Sequence, residues 1–314
     1  MRYLKRFQTC LLVLVFVCTS TVCHADMTLA LNKTFINKIK NKATLTTNLN
    51  VDAHPNDPHA IKRSGADGDI HMAGRDSVFK LPLVAEILNA RIEPLAMQKL
   101  KLTSPDDAVS VTGVWRIWFE HPAKMDQIQG QPVPPTPGDS NPDHVCEIHP
   151  ITKFSGVDVL NSFVEIKNKN GKAYEAYTAS EAFPYYDSID ATVQASDTAI
   201  MITSVKSKFN YTEFVIELAG KPKDVGDAFL VLARVFDKDN VDDPVAADVR
   251  RMVFVKGTPP ADKLLSLANG EQLHVLGIPR VNLNEVFAIA SKNGKDEVDI
   301  KLPYEMIIAA ILPD

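Results

Sequence analysis

The chain has 314 residues, of which 45% are hydrophobic and 23% are charged, and its formal net charge is −5. This length is sufficient for two ordinary domains, each with a hydrophobic core. Nonspecific binding of nucleic acids uses clustered lysine and arginine against the phosphate backbone, so an acidic chain is a poor candidate for that role. Length and charge therefore predict a globular protein without a nucleic-acid partner.

The N-terminal segment has the pattern of an export signal. Three basic residues lie among the first six, an apolar run covers residues 10–17, and the small residues Cys23 and Ala25 stand where a signal peptidase would cleave. The alternative, an uncleaved anchor, would need an apolar run of about 20 residues. We therefore predict a signal peptide over residues 1–25 and an exported protein, periplasmic or secreted, with no membrane span after cleavage.

Cleavage after Ala25 would change both the cysteine content and the charge. Cys146 would be the one cysteine left, so the processed chain could form no internal disulfide and would depend on its hydrophobic core. The predicted strand around Cys146 points it inward, which favours an inert buried thiol over a nucleophile. Because the removed segment holds three basic and no acidic residues, the formal charge would change from −5 to −8.

The predicted elements of the first half follow the order of a known small barrel. Residues 26–42 form a leader segment with one short helix. The elements after it are strands over 44–51, 67–73 and 81–90, a helix over 93–100, and strands over 109–119 and 144–154. A helix between the third and fourth of five strands is the order of the OB-fold. We therefore predict an OB-fold-like barrel over residues 43–155, in which the first strand pairs with the fourth and the fifth closes against the first.

The second half repeats parts of this plan. Its predicted elements are strands over 198–205, 212–219, 229–236 and 249–256, a helix over 260–269, and strands over 272–276, 286–290 and 298–302. A helix placed late among short strands is shared with the first half, although no residue-level repeat is visible. We therefore predict a mainly β protein with two β-rich domains, the second of which covers residues 156–314 and could be a related barrel.

Histidine and acidic residues gather in three clusters near the strand ends of the first half. In the second strand, Asp67, Asp69 and His71 share one face because alternate side chains of a strand point the same way. Two carboxylates and an imidazole can bind Zn²⁺ or Mn²⁺, or act as general acid and base. The alternative is a solvated strand face whose Asp-Gly pair sits in a turn.

The other two clusters lie on the fourth and fifth strands. Glu147 and His149 share a face of the fifth strand, and they could ligate one metal or form a structural ion pair. Glu120 and His121 end the fourth strand, where it enters a proline-rich loop. An exposed Trp118 beside them could stack a sugar or a base, and packing against the second domain is the alternative.

Strand ends of a small barrel can meet at one rim, so the clusters could form one site. The histidines that would converge there are His71, His121, His144 and His149. The predicted ligands of a divalent metal such as zinc are Asp69, His71, His121 and His149. The wider predicted ligand-binding set is Asp69, His71, Trp118, Glu120, His121, Glu147 and His149. Scattered surface histidines without a common site are the alternative.

Two of these clusters carry a resemblance to known sequences. The run over residues 65–90, with Asp67-Gly68-Asp69-Ile70-His71 and then residues 81–90, and the later Glu147-Ile148-His149-Pro150 resemble a pattern in a family of uncharacterised bacterial proteins. In that family Asp-Gly-Asp-x-His and Glu-Ile-His-Pro recur together. This resemblance implies no activity. Asp-Gly-Asp also resembles the thermonuclease family of OB-fold calcium nucleases, in which further acidic and arginine positions complete the site. Here the third strand offers only Glu86, so the residues do not imply a nuclease.

The sequence does not decide whether the protein is an enzyme or a binding protein. The first hypothesis is an exported protein that binds a small molecule, a saccharide or a protein through its N-terminal barrel. The second is a metal-dependent hydrolase that uses Asp69, His71, Glu147 and His149. The third is an envelope module that docks a protein partner without chemistry. Histidines within about 5 Å of a common point would favour the enzyme, and divergent histidines beside an exposed Trp118 would favour a binding module.

Overall fold

The computed structural model describes residues 26–62, 66–121, 126–267 and 270–313. These residues form a mainly β structure with two closed five-stranded barrels, which confirms the predicted fold class, and a third sheet lies beside them. The predicted signal peptide, residues 1–25, lies outside the described residues. Among the described helices, none combines the length and the apolar character needed to cross a membrane.

The elements of the first half are short strands and two helices. In chain order they are β1 (Met27–Asn32), α1 (Lys33–Ile39), β2 (Thr44–Ala53), β3 (Ile61–Lys62), β4 (Ala66–Asp67), β5 (Ile70–Asp76), β6 (Leu83–Ile87), α2 (Pro94–Lys101), β7 (Ala108–His121), β8 (Gln127–Ile128), β9 (His144–Phe154) and β10 (Val157–Asp158). A 3₁₀ turn at Ala90–Ile92 leads into α2. Buried and exposed residues alternate along β2 from Thr47 to Val51, because one face of the strand lines the barrel interior.

The second half begins after a 3₁₀ turn at Leu160–Ser162. Its elements in chain order are β11 (Tyr177–Thr178), α3 (Ala179–Ser188), β12 (Asp190–Ala195), β13 (Ala199–Ser204), β14 (Thr212–Leu218), β15 (Lys223–Asp224), β16 (Ala228–Asp237), β17 (Asn240–Pro244), β18 (Arg250–Val255), α4 (Pro259–Leu265), β19 (Gln272–Val281), α5 (Leu283–Asn293), β20 (Val298–Lys301) and β21 (Tyr304–Ile311). The predicted strand over 286–290 is wrong, since these residues belong to α5. Leu283, Val286 and Ala290 bury one helical face at the spacing of an α-helix.

The first barrel closes through β2, β5, β6, β9 and β7, in that order, with β7 returning to β2. The pair β6–β9 is parallel and the other four pairs are antiparallel. The helix α2 connects the third barrel strand, β6, to the fourth, β7. The first strand pairs with the fourth as predicted. The fifth strand, β9, lies between the third and the fourth, so the predicted closure of the fifth strand against the first is wrong.

The second barrel repeats this arrangement with different residues. Its strands are neighbours in the order β14, β16, β18, β21 and β19, with β19 returning to β14. The pair β18–β21 is parallel, and the helix α4 connects the third strand to the fourth. The two barrels therefore share their strand order, the position of their parallel pair and the position of their helix.

A third sheet joins the start of the chain to the second half. Its strands are neighbours in the order β20, β12, β13, β1 and β8, and Met27 of β1 lies opposite Ser204 of β13. The predicted leader segment therefore contains a strand before its helix. The buried side chains of Met27, Leu29 and Leu31 alternate along β1, which is the period of a strand.

Two buried arginines connect the barrels to each other through their fourth strands, β7 and β19. Arg116 donates from Nε to the carbonyl oxygen of Pro279 at 2.9 Å. Arg280 donates from Nη1 to the carbonyl oxygen of Trp115, also at 2.9 Å. Each arginine thus reaches the residue that precedes the other arginine in the chain. We call this reciprocal contact the arginine seam.

Each arginine of the seam is also paired within its own barrel. Arg116 Nη1 lies 2.5 Å from Glu147 Oε2, and Arg280 Nε lies 2.7 Å from Glu305 Oε1. Both glutamates stand on the fifth strand of their barrel, β9 or β21. All four side chains are buried, and a buried charge is tolerated only when it is paired and hydrogen-bonded.

We predict that Arg280→Met lowers the free energy of unfolding by about 3 kcal/mol, because it leaves Glu305 and the Trp115 carbonyl without this partner in a buried position. Arg234→Met is the matched control, since Arg234 pairs with Glu217 on the exposed surface and its loss should cost less than about 1 kcal/mol. Urea denaturation of both variants measures the difference. Equal, small effects of the two substitutions would contradict the structural role of the seam.

Candidate metal centre

A cleft of about 340 Å³ separates the first barrel from two segments of the second half. The barrel side carries acidic residues and histidines, whereas the opposite side carries aromatic rings and lysines. On the barrel side lie His59, Asp67, Asp69, His71, Glu86, Glu120 and His121. On the opposite side lie Tyr174, Tyr177, Lys206, Ser207, Lys208 and Phe209. The cleft is therefore the place where the predicted clusters meet the second half.

Asp69 lies at the centre of the barrel side of the cleft. Its Oδ1 is 3.1 Å from His59 Nδ1, and its Oδ2 is 3.2 Å from His71 Nε2. Gly68 has a φ of +82°, a left-handed conformation that glycine adopts without strain, and this bend leaves both Asp67 and Asp69 on the cleft wall. Asp67, Asp69 and His71 are all buried, so the alternative of a solvated strand face is wrong.

Burial and neighbouring charges shift the pKa values in this wall. Burial raises the pKa of Asp67, and the nearby Asp69 carboxylate raises it further. Burial alone would also raise the pKa of Asp69, but the charge of His71 outweighs it and holds this pKa well below its usual range. Burial alone would lower the pKa of His71, but the carboxylates of Asp69 and Glu86 raise it well above its usual range. Asp69 is therefore ionised at neutral pH.

Glu86, on β6, connects this wall to a deeper layer of the barrel. It lies opposite His71 in the β5–β6 pairing, and its Oε1 is 3.6 Å from His71 Nε2. Its Oε2 is 2.9 Å from Nδ1 of His149 on β9. Nε2 of His149 is in turn hydrogen-bonded to the hydroxyl of Tyr211, at 2.8 Å. A tyrosine from the second half therefore fixes the orientation of a histidine in the first barrel.

Glu147 closes the deep end of the cluster. Its Oε2 accepts from Arg116, and its Oε1 is 3.2 Å from His144 Nε2. Burial alone would raise the pKa of Glu147, but Arg116 holds it well below its usual range. Burial alone would lower the pKa of His149, but the carboxylates of Glu86 and Glu147 raise it to about 10. Buried charges of both signs thus offset one another through the whole cluster.

Three overlapping sets of these side chains could hold a cation, because the ligand atoms of each set lie within 4.8 Å of one another. The sets are His59-Asp69-His71, Asp69-Glu86-His149 and Glu86-His144-Glu147. In the first set all three residues line the cleft, and His59 is partly exposed. Catalytic zinc sites combine three protein ligands with one position open to water or substrate. The first set therefore combines three potential ligands with access from the cleft.

Several buried atoms of this cluster have no hydrogen-bond partner among the described residues. They are Asp69 Oδ1, His71 Nδ1, Glu86 Oε2 and His149 Nδ1. Asp69 Oδ1 and Glu86 Oε2 each lie at ion-pair distance from a histidine nitrogen, but the directions of these contacts do not meet hydrogen-bond geometry. A buried polar atom without a partner is costly, and a bound ion is one of the arrangements that satisfies such atoms.

Most of the predicted site residues lie in or beside this cluster. Asp69, His71, Glu147 and His149 each belong to at least one of the three sets, and Glu120 lines the cleft. His121 also lines the cleft, but its ring stacks on His144 with the ring centroids 5.0 Å apart. His121 belongs to none of the sets found among the described residues, so the structure gives no support to its prediction as a metal ligand.

Trp118 does not face the cleft. It is fully buried, and its ring packs edge to face on Tyr186 of the second half, with the ring centroids 5.6 Å apart. The alternative that Trp118 packs against the second half is therefore confirmed, and an exposed stacking surface at this position is wrong. The polar residues beside Trp118 in sequence suggested exposure, but the second half covers this part of β7.

Three residues of the cluster, Glu86, His59 and Tyr211, are not among the site residues predicted from the sequence. Glu86 is the acidic residue of the third strand, and its pairing opposite His71 would have placed it in the site. His59 lies in a turn-rich loop, where no periodicity predicts a position. Tyr211 comes from the second half, and nothing in the sequence links it to His149.

We predict that Cys146 does not react with thiol reagents in the folded protein. It is fully buried, and burial raises the pKa of its thiol well above the usual range, so the reactive thiolate is scarce. Mass spectrometry after iodoacetamide treatment should find Cys146 unmodified in buffer and modified in denaturant. Rapid labelling of Cys146 in the native protein would contradict its burial and reopen a role as nucleophile.

Comparisons with known proteins place the chain in no family. No protein-family model matches the chain, and a search of curated proteins finds no match. The resemblance of the Asp-Gly-Asp-x-His and Glu-Ile-His-Pro elements to uncharacterised bacterial proteins stays a prediction. The geometry of the cluster is therefore the basis for any functional conclusion.

Proposed function

We propose that this protein is a metal-dependent hydrolase in which His59, Asp69 and His71 bind one divalent cation, zinc or a cation with similar ligand preferences. The observation that carries the proposal is the convergence of two imidazoles and one carboxylate, within 4.8 Å of one another, on the wall of a cleft. Such convergence is the feature that favours an enzyme over a simple binding protein.

The residues around the cation site have roles that follow from their positions. When bound, the cation would polarise a substrate carbonyl or phosphoryl oxygen and lower the pKa of a bound water. Glu120 lines the same cleft, with its carboxylate 3.1 Å from Arg116 Nη2, and we assign it as the candidate general base. The cleft has a volume of about 340 Å³ and is bounded by two walls. This size limits the reacting part of the substrate to a small group.

The wall opposite the cation site indicates the kind of substrate. Lys206 and Lys208 are exposed at this wall of an otherwise acidic protein, and the rings of Tyr174, Tyr177 and Phe209 lie beside them. Lysine ammonium groups attract anions, and aromatic rings bury apolar surface. This combination favours an ester or amide that carries a negative charge next to an apolar group.

Three further predictions belong to this proposal. The strand order of the first barrel, its parallel third and fifth strands and its inserted helix support an OB-fold, and the second barrel has the same order.

We propose that residues 1–25 form a cleaved signal peptide and that the protein acts after export. The alternative function is an exported binding protein for an anionic ligand, which the lysines and aromatic rings of the cleft favour without any chemistry.

We predict that the purified, tag-free protein contains at least one equivalent of a divalent metal when no chelator is used. His59→Ala should weaken metal binding by more than about 100-fold, because it removes a direct ligand at a partly exposed position. His274→Ala is the matched control, since His274 pairs with Glu213 at 2.8 Å outside the cleft. Elemental mass spectrometry and metal titration measure both variants.

Activity is then tested on the metal-loaded protein with p-nitrophenyl phosphate, bis(p-nitrophenyl) phosphate and p-nitrophenyl acetate. Hydrolysis that His59→Ala abolishes and His274→Ala retains is the expected result. Metal binding without hydrolysis of any ester would favour the binding protein. Protein that contains no metal, and whose thermal stability does not change when zinc or manganese is added, would contradict the proposal.

A further inference from the structure

A second group of potential ligands lies directly behind the proposed cation site. Asp69, Glu86 and His149 are all buried, and their ligand atoms lie within 4.8 Å of one another. Asp69 belongs to this set and to the set of His59 and His71. The two oxygens of Asp69 face His59 and His71, the other two residues of the first set. Because Asp69 is a member of both sets, one carboxylate could contact both cations.

The strongest sign of a second cation is the contact between His149 and Glu86. His149 Nδ1 and Glu86 Oε2 form an ion pair at 2.9 Å, but neither atom makes a contact of hydrogen-bond geometry among the described residues. The other nitrogen of His149 is satisfied by the hydroxyl of Tyr211, which keeps Nδ1 turned towards Glu86. Histidine ligands of metals commonly have their second nitrogen held in this way by a neighbouring oxygen.

The third set of residues does not have these properties. Glu147 is already neutralised by Arg116, whose Nη1 lies 2.5 Å from Oε2. His144 has both ring nitrogens in contacts of hydrogen-bond geometry, with the Pro142 carbonyl oxygen at 2.6 Å and with Glu147 Oε1 at 3.2 Å. His144 and Glu147 therefore satisfy each other, and Glu86, the third member of this set, also belongs to the second set.

We propose that a second divalent cation binds Asp69, Glu86 and His149, so that Asp69 bridges a two-metal centre. This inference rests on the proposed function, because it takes the first cation as bound by His59, Asp69 and His71. Paired cations stabilise both the attacking and the leaving oxygen of an in-line displacement at phosphorus. The substrate class that fits such a centre, with Lys206 and Lys208 across the cleft, is the phosphate ester.

The reaction that this centre would support is the hydrolysis of a phosphate ester. The oxygen of a water molecule forms a bond to phosphorus, while the bond between phosphorus and the alcohol oxygen breaks. One proton of the water goes to a base, for which Glu120 is the candidate, and the alcohol leaves with a proton from solvent. No redox partner is required, and the products are an alcohol and a phosphate.

The test counts cations in the wild-type protein and in three variants loaded with manganese. We expect about two equivalents in the wild type, about one in His149→Gln and about one in His59→Ala. His144→Gln is the control and should retain two, because His144 belongs to the set that is satisfied without a cation. Circular dichroism is used to check that each variant is folded. Electron paramagnetic resonance of the wild-type protein, which needs no variant, should show two exchange-coupled manganese ions.

The outcomes separate this inference from the proposed function. One equivalent in the wild type, lost in His59→Ala, would overturn the second cation and leave the proposed function intact. Two equivalents without exchange coupling would place the second cation away from Asp69 and would also overturn the two-metal centre. No bound metal would overturn both proposals. Two coupled ions, one of which is lost in His149→Gln, would support the centre.

Discussion

Charge buried between the two barrels must be paired inside the protein, because water does not reach it. Arg116 and Arg280 meet this requirement in the same way. Each arginine pairs with a glutamate of its own barrel and donates to a backbone carbonyl oxygen of the other barrel. The guanidinium of Arg280 also lies over the ring of Trp115, 3.7 Å from its centroid. Since each barrel satisfies an arginine of the other, the two barrels depend on each other.

The same pairing organises the candidate metal centre. Arg116 neutralises Glu147, which leaves Glu86 and Asp69 as the carboxylates available to a cation. From the second half of the chain, Tyr211 fixes the ring of His149 through its hydroxyl. The second half also supplies the wall that turns an open barrel surface into a cleft. The candidate site is therefore built from both halves of the chain, although its potential ligands come from the first half.

Features that depend on a few neighbouring residues could be predicted from the sequence, whereas features that depend on contacts between distant segments could not. The alternation of apolar residues is a local pattern, and it predicts the five strands of the first barrel. It also predicts that Asp69, His71, Glu147 and His149 lie in or next to these strands. The pairing of β9 and the burial of Trp118 depend on contacts between distant segments, which periodicity does not encode. The periodicity of the sequence does not predict the position of His59, because a residue in a loop has no regular period. The similarity of the two barrels lies in strand order and not in residue identity.

The central claim is that His59, Asp69 and His71 bind a divalent cation at the cleft. The most direct test is anomalous X-ray diffraction at the zinc edge from crystals grown with zinc and without chelator. If these three residues bind the cation, an anomalous peak lies about 2 Å from His59 Nδ1, an Asp69 oxygen and His71 Nε2. Zinc bound only at surface positions, with Asp69 hydrogen-bonded to both histidines and no peak between them, would contradict it.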